Sequence, residues 1–180
     1  MCRHRLVRDG RLVDHFGQAL MSAFDEAFAD LISNEGGYSS SPKDPGGETM
    51  WGITARVARS HGYTGPMREL PLSFARAIAK AEYWDPYKLD EIPAQIAFQV
   101  LDAAYNGGHP VQWLQRAVGV AEDGVIGPAT LASVKAADPD DVCLRFDAYR
   151  LQYMTDLSIW PDFGKGWARR IAANLLRAAQ

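Results

Sequence analysis

From Phe24 onward the apolar positions follow helical spacing. Phe24, Ala27, Phe28, Leu31 and Ile32 form the first run, with Ser22 placed as its N-cap and Gly36 and Gly37 as its C-terminal stop. Further helices are expected over Thr54 to about His61, about Leu72 to Tyr83, Ala94 to Asn106, Val111 to Val118 and Ala129 to Ala136. Asp138, with Pro139 in the first turn, opens a longer helix running to about Leu157, and a last one runs from about Gly166 to Ala178. Residues 38 to 50 break the pattern: Pro42, Pro45, Gly46, Gly47 and three serines describe an irregular loop or short hairpin. The class is mainly α, with one small β element after the first helix.

A chain of 180 residues is long enough for one well-buried core. Its 19 lysines and arginines against 22 acids give a net charge of -3, which disfavours a nucleic-acid partner. Cys2 and Cys143 stand far apart without a ligand pattern and read as free thiols; His4, His15, His61 and His109 lack metal-ligand spacing. No metal and no cofactor is expected. No apolar run approaches the ~18 residues of a membrane span, so no stable membrane insertion is expected. The first residues lack the continuous apolar stretch of a signal peptide. Met21 stands just before the cap Ser22, so residues 1–20 read as an N-terminal extension, upstream of an alternative start.

Three polar residues around the loop invite a chemical reading. Glu35 falls at the C-terminal end of the first helix, where the negative end of the helix dipole disfavours its charge; it reads as a solvated helix-end residue or as a carboxyl kept protonated to donate a proton. Asp44 reads as a turn starter before Pro45 or as a second carboxylate returning to face Glu35 across room for sugar and water. Thr49 reads as a holder of the loop backbone or of a water molecule. Gly46 and Gly47 let the loop backbone approach a sugar closely, and Tyr38, Trp51 and Trp84 are aromatic candidates for stacking or for the core.

The combination "EGGY…DPGGETMWGIT" resembles the signature of the glycoside hydrolase 108 family, lysozyme-like N-acetylmuramidases found among phage endolysins and bacterial secretion-activating proteins. Its residues here are Glu35, Gly36, Gly37 and Tyr38, then Asp44, Pro45, Gly46, Gly47 and Thr49, then Gly52, Ile53 and Thr54. "EYWDPYKLDEIP" resembles the family's Tyr-Trp segment, and "FQVLDAAYNGG" its Asp…Asn-x-Gly helix, carried by Asp102, Asn106 and Gly108. "WLQRAVGVAEDGVIGPATLASV" resembles the peptidoglycan-binding segment that follows, with Leu114, Val118, Leu131 and Val134 on two helices and Asp123 and Gly124 shaping the turn between them; "FGKGWARR" resembles its Gly-Trp…Arg end. The spacing from Glu35 to Asp44 also resembles phage T4-type lysozymes, whose threonine falls one residue later than Thr49.

The resemblance implies a lysozyme-like α+β fold with a small β-hairpin after the catalytic helix. It divides the chain into the extension 1–20, a muramidase part 21–108 and a peptidoglycan-binding-like helical part 109–180 packed into the same globule. It implies cleavage of the β-1,4 bond from N-acetylmuramic acid to N-acetylglucosamine, with Glu35 as general acid, Asp44 supporting water attack, and Thr49 beside them. Tyr38, Gly46, Gly47, Trp51 and Asn106 are the substrate-binding candidates. The expected partner is the peptidoglycan strand, met by a monomeric endolysin that accumulates in the host cytoplasm and acts in the periplasm. Two alternatives stand at this point: a lytic transglycosylase giving anhydromuropeptides, and a non-catalytic peptidoglycan-binding or secretion-assisting protein.

Overall fold

The computed structural model describes residues 5–6, 12–13, 21–34, 37–40 and 47–179. Eight α-helices run through the described residues: α1 (Ala23–Asn34), α2 (Ala55–Ser60), α3 (Leu72–Ala79), α4 (Ala94–Asn106), α5 (Pro110–Ala117), α6 (Pro128–Ala136), α7 (Pro139–Thr155) and α8 (Trp160–Ala178). Two antiparallel strand pairs accompany them, β1 (Arg5–Leu6) with β2 (Leu12–Val13) and β3 (Thr49–Met50) with β4 (Ile53–Thr54). The first pair falls where the sequence indicated no strand, because two-residue strands are too short to show an alternation of period two.

Local chemistry explains the helix starts. The Ser22 hydroxyl accepts from the Asp25 amide at 3.1 Å, and the Asp25 carboxylate accepts in return from the Ser22 amide and hydroxyl, a reciprocal cap. Desolvation acts to raise the Asp25 pKa, but these bonds and the Arg76 guanidinium outweigh it and hold the carboxyl below its usual value. Asp138 caps α7 by accepting from the amides of Asp140 and Asp141, with Pro139 supplying a first-turn residue that has no N–H to lose.

α4 is the axis of the fold. Its residues Ile96 to Ala103 are all buried, so the helix is enclosed on every side, with α1, α5, α7 and α8 packed around it. Phe24, Phe28, Leu31, Trp84, Phe98, Leu114 and Phe146 share this core. Trp84, a sequence candidate for sugar stacking, is wholly buried, edge-on to Phe24 at 5.2 Å, and belongs to the interior. The helix expected over Leu72 to Tyr83 is α-helical only to Ala79; a π-helical turn, Lys80–Trp84, follows and turns Trp84 into the core. The last helix starts at Trp160 rather than near Gly166, since Pro161 fits a first turn and two glycines lie within the helix.

Candidate active site

The loop after α1 becomes a hairpin whose tip is a two-residue turn. Met50 pairs with Ile53, and both turn residues have positive φ, Trp51 at 56° and Gly52 at 76°. This is the turn geometry whose twist matches that of the strands it joins. Gly52 is required there: a Cβ would lie 2.4 Å from the ring of Tyr105. Trp51 is a bulky residue in a strained region and is held at two points, its indole N–H donating to the Leu70 carbonyl at 2.9 Å and its own carbonyl accepting from the Tyr105 hydroxyl at 2.6 Å. Tyr105 in turn packs edge-on to Tyr83, with ring centroids 5.0 Å apart.

That bond ties the hairpin tip to the end of α4, where the next residue is Asn106. Its side-chain amide donates to the Asp102 carbonyl at 2.8 Å, and Gly107 and Gly108, at φ 85° and 118°, then turn the chain toward α5. Gly108 also makes room for Trp113, whose ring would be 2.4 Å from a Cβ. Thr49 lies half-buried on β3, its backbone N–H and C=O paired with Ser39 at 2.8 and 3.0 Å. Tyr38, next to that bridge, donates its hydroxyl to Glu48 at 2.5 Å, and the Arg68 guanidinium sits 3.8 Å over its ring. One face of Tyr38 is thus taken by a cation. Gly47 is exposed at φ 70° at the entry to β3.

Tyr38, Thr49, Trp51 and Asn106 are therefore gathered into one region, the hairpin and the C-terminal end of α4. Glu35, Gly36, Asp44 and Gly46 lie outside the described residues. Glu48, Arg68 and Tyr105 were not singled out by sequence. Glu48 stands inside the "DPGGET" stretch and Tyr105 beside Asn106, whereas nothing local marks Arg68. A separate concavity of about 530 Å³ opens beside α1 and α8, spanned by the ion pair of Asp30 with Arg177 at 2.7 Å. It contains none of the expected site residues. Among the described residues no group of three His, Cys, Asp or Glu side chains could hold a metal ion.

Residues 28–108 match the family model Glycosyl hydrolase 108, and residues 109–172 match the model described as Predicted Peptidoglycan domain. The solved structure of SagA from Brucella abortus is 35% identical in sequence, with 87% of this chain and 93% of that chain covered and a TM-score of 0.79. The chain belongs to the glycosyl hydrolase 108 family. No curated protein matches it. It is a glycoside hydrolase that acts on peptidoglycan, on a mainly α, lysozyme-like fold.

In this hydrolase the two matched stretches meet in a buried polar cluster. Asp102, fully buried on α4, accepts from Arg150 at 2.6 Å, Arg170 at 2.9 Å and Asn174 at 2.9 Å. Burial acts to raise its pKa, but the Arg150 and Arg170 charges outweigh it and hold the carboxyl below its usual value. Asp147, one turn before Arg150, is equally buried and neither of its oxygens has a partner; burial pushes its pKa up to about 7. The hydrolase's α5–α6 connection is organised by Gln115, whose amide donates to Asp123 at 2.6 Å and accepts from the Gly124 amide at 2.9 Å. Leu114 and Val134 are fully buried and Val118 and Leu131 half-buried, so these helices complete the core. Cys143 is a buried free thiol, pushed up to about 12 by burial, with Asp147 and Asp140 adding to it.

Proposed function

We propose that this hydrolase is an endolysin-type muramidase that cuts the β-1,4 bond between N-acetylmuramic acid and N-acetylglucosamine. Glu35 gives its proton to the departing sugar oxygen, and Asp44 activates or positions the attacking water. The observation that carries the reading is that the family match, residues 28–108, contains both carboxylates on the "EGGY…DPGGET" stretch leading into the pinned hairpin. Two physical features support it. The last turn of α1 carries no basic side chain to favour an ionised Glu35, and the hairpin is fixed at Trp51 from both sides, so groups on it are held in place before substrate arrives.

Thr49 sits on the fixed strand and is the candidate to share the water with Asp44. Tyr38, Trp51 and Asn106 line the same region and are candidate sugar contacts, Tyr38 with the ring face that Arg68 does not cover. The enzyme acts as a monomer, reaching the wall from the host cytoplasm after release through the membrane.

The test is Glu35→Gln, which preserves shape and removes the proton. Lysis of purified sacculi is expected to fall on the order of 10²- to 10⁴-fold with unchanged thermal melting. Activity within threefold of wild type would remove Glu35 from the mechanism. Mass spectrometry of the wild-type digest is expected to show reducing muramic acid ends; anhydro ends would instead establish intramolecular attack by the muramic 6-hydroxyl.

A further inference from the structure

Three aromatic side chains on α8 stand outside the core. Trp160, Phe163 and Trp167 recur at i, i+3 and i+7, which places them on one side of the helix. They pack on one another: Trp160 and Trp167 have ring centroids 6.1 Å apart, and Phe163 lies stacked on Trp167 at 5.9 Å with 23° between planes. None belongs to the core cluster, Phe163 is 44% exposed and the preceding Ile159 is 47% exposed. Gly164 is buried beneath them, because a Cβ there would lie 2.5 Å from the Trp160 ring. A glycine weakens a helix interior, and here it lets an indole lie against the backbone at the surface. Neither indole N–H bonds a described residue, and neither is among the buried unpaired groups, so both are available to a ligand.

Position narrows what that ligand is. α8 runs antiparallel to α4: Arg177 lies 3.9 Å over the Phe98 ring, Gln99 donates to the Asn174 carbonyl, and Arg170 reaches Asp102. Each turn back along α8 therefore advances about one turn along α4. One further turn brings Trp167 to the height of Tyr105 and Asn106, and the next carries Phe163 beyond the helix end at Gly107. The aromatic cluster thus begins at the height of the end of α4 that holds the candidate site and extends past it.

We infer that Trp160, Phe163 and Trp167 form a distal glycan subsite, on which N-acetylhexosamine rings of the peptidoglycan strand stack. This rests on the muramidase reading for the strand's direction, not for its binding. A pyranose presents a face of C–H groups that suits an aromatic ring, and its acetamido and hydroxyl oxygens accept from the indole N–H groups. A lipid surface fits less well, since the exposed large apolar side chains of α8, Phe163 and Leu176, are thirteen residues apart and on different sides of the helix, whereas a membrane-lying helix needs a wide unbroken apolar face.

The experiment is cosedimentation of the full chain with purified sacculi at low temperature, a readout that does not depend on which carboxylate is the acid. Phe163→Ala, which touches no core residue, and Trp167→Ala are each expected to raise Kd about five- to tenfold, with Trp167→Phe recovering part of the loss. Unchanged Kd in folded Phe163→Ala and Trp167→Ala, with wild type still lytic, overturns the subsite and leaves the muramidase reading intact. Wild type that neither binds nor lyses sacculi overturns both. Loss of binding to phosphatidylglycerol–phosphatidylethanolamine vesicles, with sacculus binding unchanged, overturns the subsite in favour of a lipid surface.

Discussion

Replacing Asp147 by asparagine is expected to change stability by an amount that depends on pH, and the size of that dependence follows from where the carboxyl sits. The side chain is inaccessible to solvent and both oxygens lack partners. Burial raises its pKa from 3.8 to about 7, with Arg150 opposing and Asp102 adding to the rise. In the unfolded chain the group ionises near its ordinary value, while in the fold it keeps its proton until about pH 7. The stability it allows in acid is therefore lost as pH rises through that window, at roughly 1.4 kcal/mol per pH unit. The whole loss is on the order of 4 kcal/mol, of which about 3 kcal/mol accrues above pH 5. Asparagine does not titrate. Asp102 works in the opposite direction and elsewhere: its lowered pKa gives stability that is lost only as pH falls through the acid range, so it does not contribute between pH 5 and 8. Urea unfolding followed by circular dichroism at pH 5 and pH 8, at equal m, reads the difference. Asp147→Asn should gain about 3 kcal/mol on wild type between these two conditions. A stability difference that is the same at both pH values would refute the reasoning, because it would mean an ionised Asp147 paired with Arg150 throughout.

Gly52→Ala combines a positive φ with a Cβ 2.4 Å from the Tyr105 ring, so it is expected to cost about 2 kcal/mol and to slow lysis; an unchanged melting temperature would show that the turn does not press on Tyr105. Tyr105→Phe keeps the ring and removes the hydroxyl from the Trp51 carbonyl, with an expected cost of about 1 kcal/mol and a lytic rate lowered several-fold; full activity would show that the hairpin tip needs no anchor. Asp44→Asn is expected to lower turnover strongly while leaving sacculus binding nearly unchanged, as for a group whose interaction matures in the transition state; a mild effect together with anhydro products would assign the attack to the muramic 6-hydroxyl.

Much of the helical frame was legible because its punctuation is local. α4 runs from Ala94 to Asn106 as expected, between Pro93 and Gly107, and Asp138 with Pro139 marks the start of α7 in the sequence itself. Elsewhere the same punctuation misleads. Pro161, Gly164 and Gly166 suggest a break before the last helix, yet the proline fits its first turn and Gly164 is kept for a tertiary contact with Trp160. The candidate site was legible as a motif, because glycines, acids and aromatics sit close together between residues 35 and 54. What those side chains touch was not. Tyr38 meets Arg68 thirty residues on, and Trp51 meets Leu70 and Tyr105, pairings fixed only once helices pack. The buried carboxylates were equally hidden, since an aspartate in a helical pattern reads as surface until the partner helices are known.

The Asp102 cluster also determines whether the hydrolase stretch can stand alone. Asp102 belongs to residues 28–108, but its side-chain donors, Arg150, Arg170 and Asn174, all come from after residue 108. A fragment ending at 108 would lose every one of these bonds, and a hydrogen bond to a charged group is worth about 1.5–3 kcal/mol. It would also expose the α4 face now covered by Val111, Leu114, Val142 and Phe146. Those losses together are comparable to the whole stability of a domain, about 5–15 kcal/mol. Residues 21–108 are therefore expected to give no cooperative thermal transition and no lysis, and Asp102→Asn within that fragment is expected to recover neither, since the carboxylate is hydrated there and the apolar face stays uncovered. Mixing in residues 109–180 should restore both readouts if the two parts fold as one unit. A fragment 21–108 that melts cooperatively and clears a suspension of sacculi by itself would show that α4 can be covered without α5, α7 and α8.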